Sequence, residues 1–424
     1  MNEKIKQDFL AILEEELVPA MGCTEPIALA YAAARGREVL GCDPEGILAR
    51  CSGNTIKNVR CVRIPNSGGM TGIEAACALG AIAGDGSRVM EVLEGVTPEG
   101  QSATAAFLKK GTCSVEFLES DIPLHFIIEL FAGRDRVEVE VRHSHRNIVR
   151  IAKNADVVFE VEDKVDVIER ADRSALNLEN IYQFANEVEL DLIRPHTERQ
   201  IACNMAIAQR GMQGDYGIGI GKALLDTYAH SVYTKVRAYA ASGSEARMDG
   251  CDMPVIITSG SGNQGITSTV PVIVFARERQ IPEDKMMRAL MFSSLMTVYQ
   301  KEYIGKLSAF CGVVSAATAA GAAITYLVGG TLDQIRDTIA NTLADIPGII
   351  CDGAKTSCAA KISSALDAAL FAHALAMKGK AYSEGTGILR ADPGHTIRDV
   401  GHIGRVGMQP TDEEIVRLMI EDNN

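Results

Sequence analysis

Along the first 95 residues apolar positions recur three and four apart: Phe9, Ile12, Leu13 and Leu17, then the runs IALAYAAARGREVL and GIEAACALGAIAG. That spacing predicts helices with one buried stripe each. Between about 110 and 162 the period shortens to two. Val137, Val139 and Val141 alternate with charges in RVEVEVRH, and NIVRIAKNADVVFEVE reads as two strands around a turn at Lys153-Asn154. EDKVDVIERADRS then predicts a charged surface connection. From about 175 onward helical spacing returns, rich in alanine, as in GKALLDTYAHSVYTKVRAYAASG and KISSALDAALFAHALAMKG. The pattern predicts an α+β protein: a mainly helical, Ala/Gly-rich domain with its first part at 1–95 and its second at 171–424, and a small α+β module inserted at 96–170.

Composition narrows the function classes. The 424 residues carry a net charge of −13 and no basic run, which argues against an electrostatic hold on nucleic acid or an anionic membrane. MNEKIKQDFLAILEEELV reads as an acidic amphipathic helix and not as a secretory signal, so a reducing cytoplasm is the expected compartment. Eleven cysteines, an odd number in a long chain, do not resemble a disulfide framework. Leu307 to Leu332 holds no charge and is long enough to span a bilayer. Its Ala, Gly, Ser and Thr suit a closely packed helix instead, and no flanking Lys/Arg asymmetry supports insertion.

The chemistry concentrates at helix starts. In PAMGCTEPIALA, Thr24 is the expected N-cap and Pro26 suits a first turn, so Cys23 would lie beside exposed amides that favour a thiolate. Cys311 stands just before GVVSAATAAGAA; Cys351 and Cys358 bracket a Gly-containing turn, with Cys358 at the start of a long helix. Helix ends of this kind also suit an iron–sulfur cluster. The Cys-x6-Cys pair, with a third thiol 40 residues upstream, is not a ferredoxin spacing. Spacing alone leaves packed thiols and cluster ligands both open; zinc lacks a fourth ligand nearby. Two Gly-rich stretches, NSGGMTG (66–72) and SGSGNQGITST (259–269), offer amides and hydroxyls to a carboxylate or are plain tight turns. IPNSGGMTGI and ITSGSGNQGI echo one another weakly. The histidines of HSHRN (143–147) read as structural, His373 as a satisfied core histidine, and 394–408 as a loop over a site or a Gly-rich tail.

Taken in order, GCTEPIALA, NTIKN, IPNSGGMTG, SGSGNQGIT, AFCGVVSAATAAGAA and ICDGAKTSCA resemble the L-cysteine desulfidase family, which is related to the α-chain of iron–sulfur L-serine dehydratases. The resemblance covers nearly the whole chain. It implies a [4Fe–4S] cluster held by Cys311, Cys351 and Cys358, no pyridoxal phosphate, and α,β-elimination of L-cysteine to sulfide, pyruvate and ammonia. It makes Cys23 the base for the Cα proton, or else a resting ligand to the open iron. Ser67, Gly68, Asn263 and Gln264, with Lys57 and Asn58, become the candidates for holding the substrate carboxylate. It also points to a homodimer acting on a small L-amino acid.

Two other readings compete. The same scaffold acting on L-serine is one: HSHRN is only a loose echo of the substrate-binding segment of the dehydratases, and RLMIEDNN carries no cysteine of the kind some of them end on. The other is a cluster-free binding protein for a small amino acid, with its cysteines merely packed.

Overall fold

The computed structural model describes residues 1–161, 170–305 and 308–421. Of the expected charged exit, 162–169 lie outside the described residues; beyond them Arg170 and Arg173 pair with Glu15, Glu16 and Glu302, which fastens the connection to the helical body.

Helix α1 (Glu3–Glu16) starts at Asn2, whose side chain accepts from the Lys4 N–H, and buries Phe9, Ile12 and Leu13. Strand β1 (Pro19–Met21) and helix α2 (Thr24–Leu40) follow, then β2 (Gly46–Cys51), α3 (Gly53–Val59), α4 (Gly72–Ala83) and α5 (Pro98–Leu108). Strands β3 (Cys113–Phe117), β4 (His125–Ala132), β5 (Asp135–Arg142), β6 (Ile148–Lys153) and β7 (Asp156–Glu160) complete the first half. Five of these strands join β2 in one sheet of order β3-β2-β4-β5-β6-β7, parallel only between β2 and β3. Helices α2 and α4 lie side by side against it.

Strand β2 falls inside a stretch whose sequence predicts helix. GILARC is too short for its own period to stand out, yet it alternates half-buried and buried residues and takes a central place because β3 and β4 both pair with it. One core therefore runs from Ile27 to Ile151 and joins α2 and α4 to the sheet. Packing divides the chain differently from the expected boundary at 96: the α+β unit begins near residue 27.

The second core unites α1 with the helices after 175. These are α6 (Leu178–Glu187), α7 (Leu190–Gln213), α8 (Ile220–Thr227) and α9 (Val232–Met248); a strand, β8 (Pro254–Ile256), separates them from α10 (Gly262–Glu278), α11 (Glu283–Ile304), α12 (Val313–Leu327), α13 (Leu332–Asp345), α14 (Cys358–Ala376), α15 (Pro393–His402) and α16 (Gln409–Glu421). The protein is mainly helical α+β, as its periodicity predicts. Within the uncharged stretch 307–332, where Leu307 lies outside the described residues, every residue of α12 is buried. Small side chains let α10, α11 and α14 pack around it. Among the described residues α14 alone is long and apolar enough to cross a membrane by length and composition, and it packs against α9, α12 and α13. The 394–408 segment is helix followed by one π turn, with Gly404 against Phe310.

Two contacts tie the halves of the chain together at their seam: strand β1 pairs antiparallel with β8, and α16 lies on α3. Within the second half, Phe310 forms an antiparallel bridge with Ile350.

Candidate active site at the seam

The bridge at Phe310 and Ile350 sets two thiols side by side. The Cys311 N–H donates to the Ile349 carbonyl at 2.8 Å and the Cys351 N–H to the Ala309 carbonyl at 2.6 Å. The Cys311 and Cys351 thiols lie close enough to perturb each other's ionisation. The turn after Cys351 then brings Cys358 back as the first residue of α14. Gly353 makes that turn possible. Its φ is +96°, and a Cβ there would lie 2.0 Å from the Lys57 carbonyl oxygen.

A backbone N–H favours the ionised form of each thiol, Val313 for Cys311, Gly353 for Cys351 and Lys355 for Cys358, and the Cys358 thiol donates to the Gly353 carbonyl at 3.9 Å. Four lysines stand around them. Lys361 donates to the Ile350 carbonyl at 2.8 Å and pairs with Asp352, as Lys355 does at 2.6 Å. Lys57, almost fully buried, pairs with Asp412. Lys301, near the end of α11, is buried within electrostatic reach of Cys311 and Cys351, and burial brings its ammonium down to about 8. The thiol pair shares its charge unevenly: the contact with Cys311 holds Cys351 well below the ordinary thiol range, with Lys57 and Lys361 adding to it, while Cys311 is pushed far above.

The implied iron–sulfur cluster suits this donor set. Among the described residues no three His, Cys, Asp or Glu side chains gather at one ion position. A multi-iron body reaches its thiolates from separate corners and does not need them gathered there. Amide N–H groups aimed at sulfur and nearby cations both suit an anionic cluster.

Cys23 packs with Cys358, Val62 and Met248. It is itself the N-cap of α2, one residue earlier than the sequence suggests. The expected thiolate does not follow in the free protein: complete burial lifts the thiol to about 11, outweighing the Arg247 guanidinium that pulls it down. Arg247 is the residue the sequence reading missed. Its Nη2 donates to the Gly22 carbonyl at 2.6 Å and its Nη1 to Asn263 Oδ1 at 3.3 Å, while its buried Nε has no partner. A lone arginine in RMDG carries no sequence signal; only the β1–β8 pairing brings it beside Cys23.

The second Gly-rich stretch joins this site. Thr258 and Ser261 close a two-residue turn with Ser259 and Gly260 both left-handed, which starts α10 at Gly262. Asn263 and Gln264 are thereby buried in its first turn. Asn263 Oδ1 accepts from Ser244 and Arg247, and Gln264 lies against Gly312 with its Oε1 unpartnered. The first stretch is a similar bridged turn ahead of α4, closed by Arg63 and Thr71. It meets the site through Pro65 on Gly22, whereas the Ser67 hydroxyl donates to the Met70 carbonyl and Gly68 faces Gln101. Asn58 donates to Glu25 at 3.3 Å. Ser67, Gly68 and Asn58 thus have partners of their own and Lys57 pairs with Asp412 beside the thiols, while Asn263 stands beside Arg247 and Gln264 beside Gly312.

Comparison with known proteins bears on this arrangement. Residues 87–417 match the serine dehydratase alpha chain family, a span that includes Asn263, Gln264, Cys311, Cys351 and Cys358 but not Cys23. The chain is 47% identical over 409 residues to a UPF0597 protein of Lachnoclostridium phytofermentans, covering 96% of this chain and 98% of that one. It is 43% identical over 420 residues to a UPF0597 protein of Desulfitobacterium hafniense, covering 99% and 98%. A third, from Treponema denticola, is 43% identical over the full length of both chains. By these matches the chain belongs to the serine dehydratase alpha chain family and to the UPF0597 proteins.

Proposed function

We propose that the protein is an iron–sulfur-dependent lyase that carries out α,β-elimination on L-cysteine, releasing sulfide and aminoacrylate, which hydrolyses to pyruvate and ammonia. The observation that carries this reading is that Cys311, Cys351 and Cys358 lie within electrostatic reach of one another, with Cys23 packed against Cys358. The three thiolates would hold the cluster, whose open iron supplies Lewis acidity that weakens the bond to the substrate's β-substituent.

The chain's own groups do the rest. Arg247, with a free buried Nε, takes the substrate carboxylate; Gln264 Oε1, an acceptor without a donor, takes the α-ammonium. Cys23 removes the Cα proton. A thiol whose burial raises its pKa is, once ionised, the stronger base for a weakly acidic C–H. Arg247 beside it stabilises the thiolate while that proton is moving.

A second reading, elimination of the β-hydroxyl of L-serine by the same residues, draws on the family match. Purification and cluster reconstitution without oxygen, followed by pyruvate release from L-cysteine and from L-serine, tests both. Faster release from L-cysteine is expected. A faster reaction with L-serine makes the protein a dehydratase, and neither iron uptake nor pyruvate would leave an amino-acid binding protein.

A further inference from the structure

Three of the four lysines around the thiols have a carboxylate partner. Lys57 is matched by Asp412, and Asp352 serves both Lys355 and Lys361. Lys301 has none among the described residues. It sits in the last turn of α11 with only 6% of its surface exposed, and Gln300 beside it donates to the Ser315 carbonyl at 3.0 Å, which fixes this turn against the start of α12 behind Cys311. A buried ammonium without a counter-ion is costly, and the partial negative charge of a helix end offsets only part of that cost. Cys311 and Cys351, which can carry a full negative charge, lie within its electrostatic reach. Counting Lys57 with Asp412 as neutral, the pocket wall keeps two positive charges in excess, one shared at Asp352 and one at Lys301.

We infer that Lys301 is a positioning residue for the cluster, a buried counter-charge that retains the three-thiolate set in its ionised, metal-loaded form and raises the potential at which it is reduced. This rests on the iron–sulfur reading above. A cation in a low-dielectric wall stabilises the more negative, reduced cluster more than the oxidised one, so removing it lowers the potential. Cysteine spacing carries no hint of this, because the lysine lies on a different helix from all three thiols.

The test uses the full chain, reconstituted anaerobically, as wild type, Lys301→Met, Lys301→Gln and Lys301→Arg. Iron and sulfide content under chelator competition, the reduction potential from a redox titration, and melting of the cluster-free protein are measured for each. The neutral variants should lose iron to the chelator at least tenfold more readily and be reduced at a more negative potential, while the cluster-free protein melts no lower than wild type. Lys301→Arg should restore iron retention and potential. Wild-type iron retention and potential in both neutral variants would overturn the inference alone. Lower melting of both cluster-free neutral variants would overturn it too, by making Lys301 a structural residue. If wild type takes up no iron, the iron–sulfur reading itself fails.

Discussion

Gly312 faces Gln264 so closely that a Cβ on the glycine would lie 2.6 Å from the amide nitrogen. The start of α12 therefore presses on the first turn of α10, and the amide is held with its Oε1 buried and unpartnered. An unmet buried acceptor costs about 1–3 kcal/mol, a cost that a substrate ammonium would remove. Gln264→Leu should leave the cluster-free protein as stable as wild type or more so, while lowering kcat/KM at least tenfold. Gly312→Ala should displace the amide and lower activity with iron content retained. Denaturant unfolding and anaerobic pyruvate assays check both.

How legible this site is in the sequence depends on what each part needs. Cys311 and Cys358 stand out in the sequence by their place near helix starts and Cys351 by the Gly-containing turn it brackets with Cys358, all local properties. Asn263 and Gln264 show themselves by the turn that precedes α10. Arg247 and Lys301 do not, because their meaning comes from a β1–β8 pairing and from the abutment of α11 on α12. Nothing in NTIKN announces a partner for Lys57, yet α16 folds back from the far end of the chain to cover it with Asp412. The fold follows the same rule. Long alanine-rich helices declare themselves, while the six residues of β2 take their strand form from two partners more than 60 residues later in the chain.

The Lys57–Asp412 pair tests that seam. The Lys57 side chain is 1% exposed and that of Asp412 is 14%, so removing one partner strands a buried charge. Asp412→Ala should destabilise the protein by about 3 kcal/mol, whereas Lys57→Met with Asp412→Leu should recover most of the loss. The midpoint of denaturant unfolding in the single and double variants provides the measurement. Equal losses in Asp412→Ala and the double variant would show that the pair does not hold α16 to α3.

His373 predicts a pH dependence. It lies in α14 with Nδ1 2.8 Å from the Thr325 hydroxyl, and burial holds its imidazole down to about 4, from 6.5. Between these values the unfolded chain binds a proton that the folded one refuses. Stability therefore rises with pH across this window and is lost as pH falls from 6.5 towards 4. The full loss amounts to about 3 kcal/mol at 1.36 kcal/mol per pH unit. His373→Gln cannot take up that proton, so its unfolding midpoint should fall less than that of wild type between pH 7 and pH 5. Parallel pH profiles would show that the imidazole is not the group responsible.

Among the four thiols of the site, Cys351 should be the first to react when the cluster is absent. It carries the negative charge of the pair, held there by its contact with Cys311 and by Lys57 and Lys361, whereas Cys23 is buried and protonated. Iodoacetamide at neutral pH should alkylate Cys351 ahead of Cys311, Cys358 and Cys23, as peptide mass spectrometry would read. Loading the protein with iron and sulfide should protect it. Air exposure of the cluster-free protein has a specific product too. The antiparallel bridge places Cys311 and Cys351 diagonally on one face, near enough to perturb each other's ionisation, so the Cys351 thiolate and Cys311 thiol are the expected partners in an S–S bond. Two electrons pass to oxygen, which takes up the thiol proton and one proton from solvent to give hydrogen peroxide. A Cys311–Cys351 crosslinked peptide that disappears on reduction is the expected result, and in Cys311→Ser the same treatment should leave Cys351 unlinked.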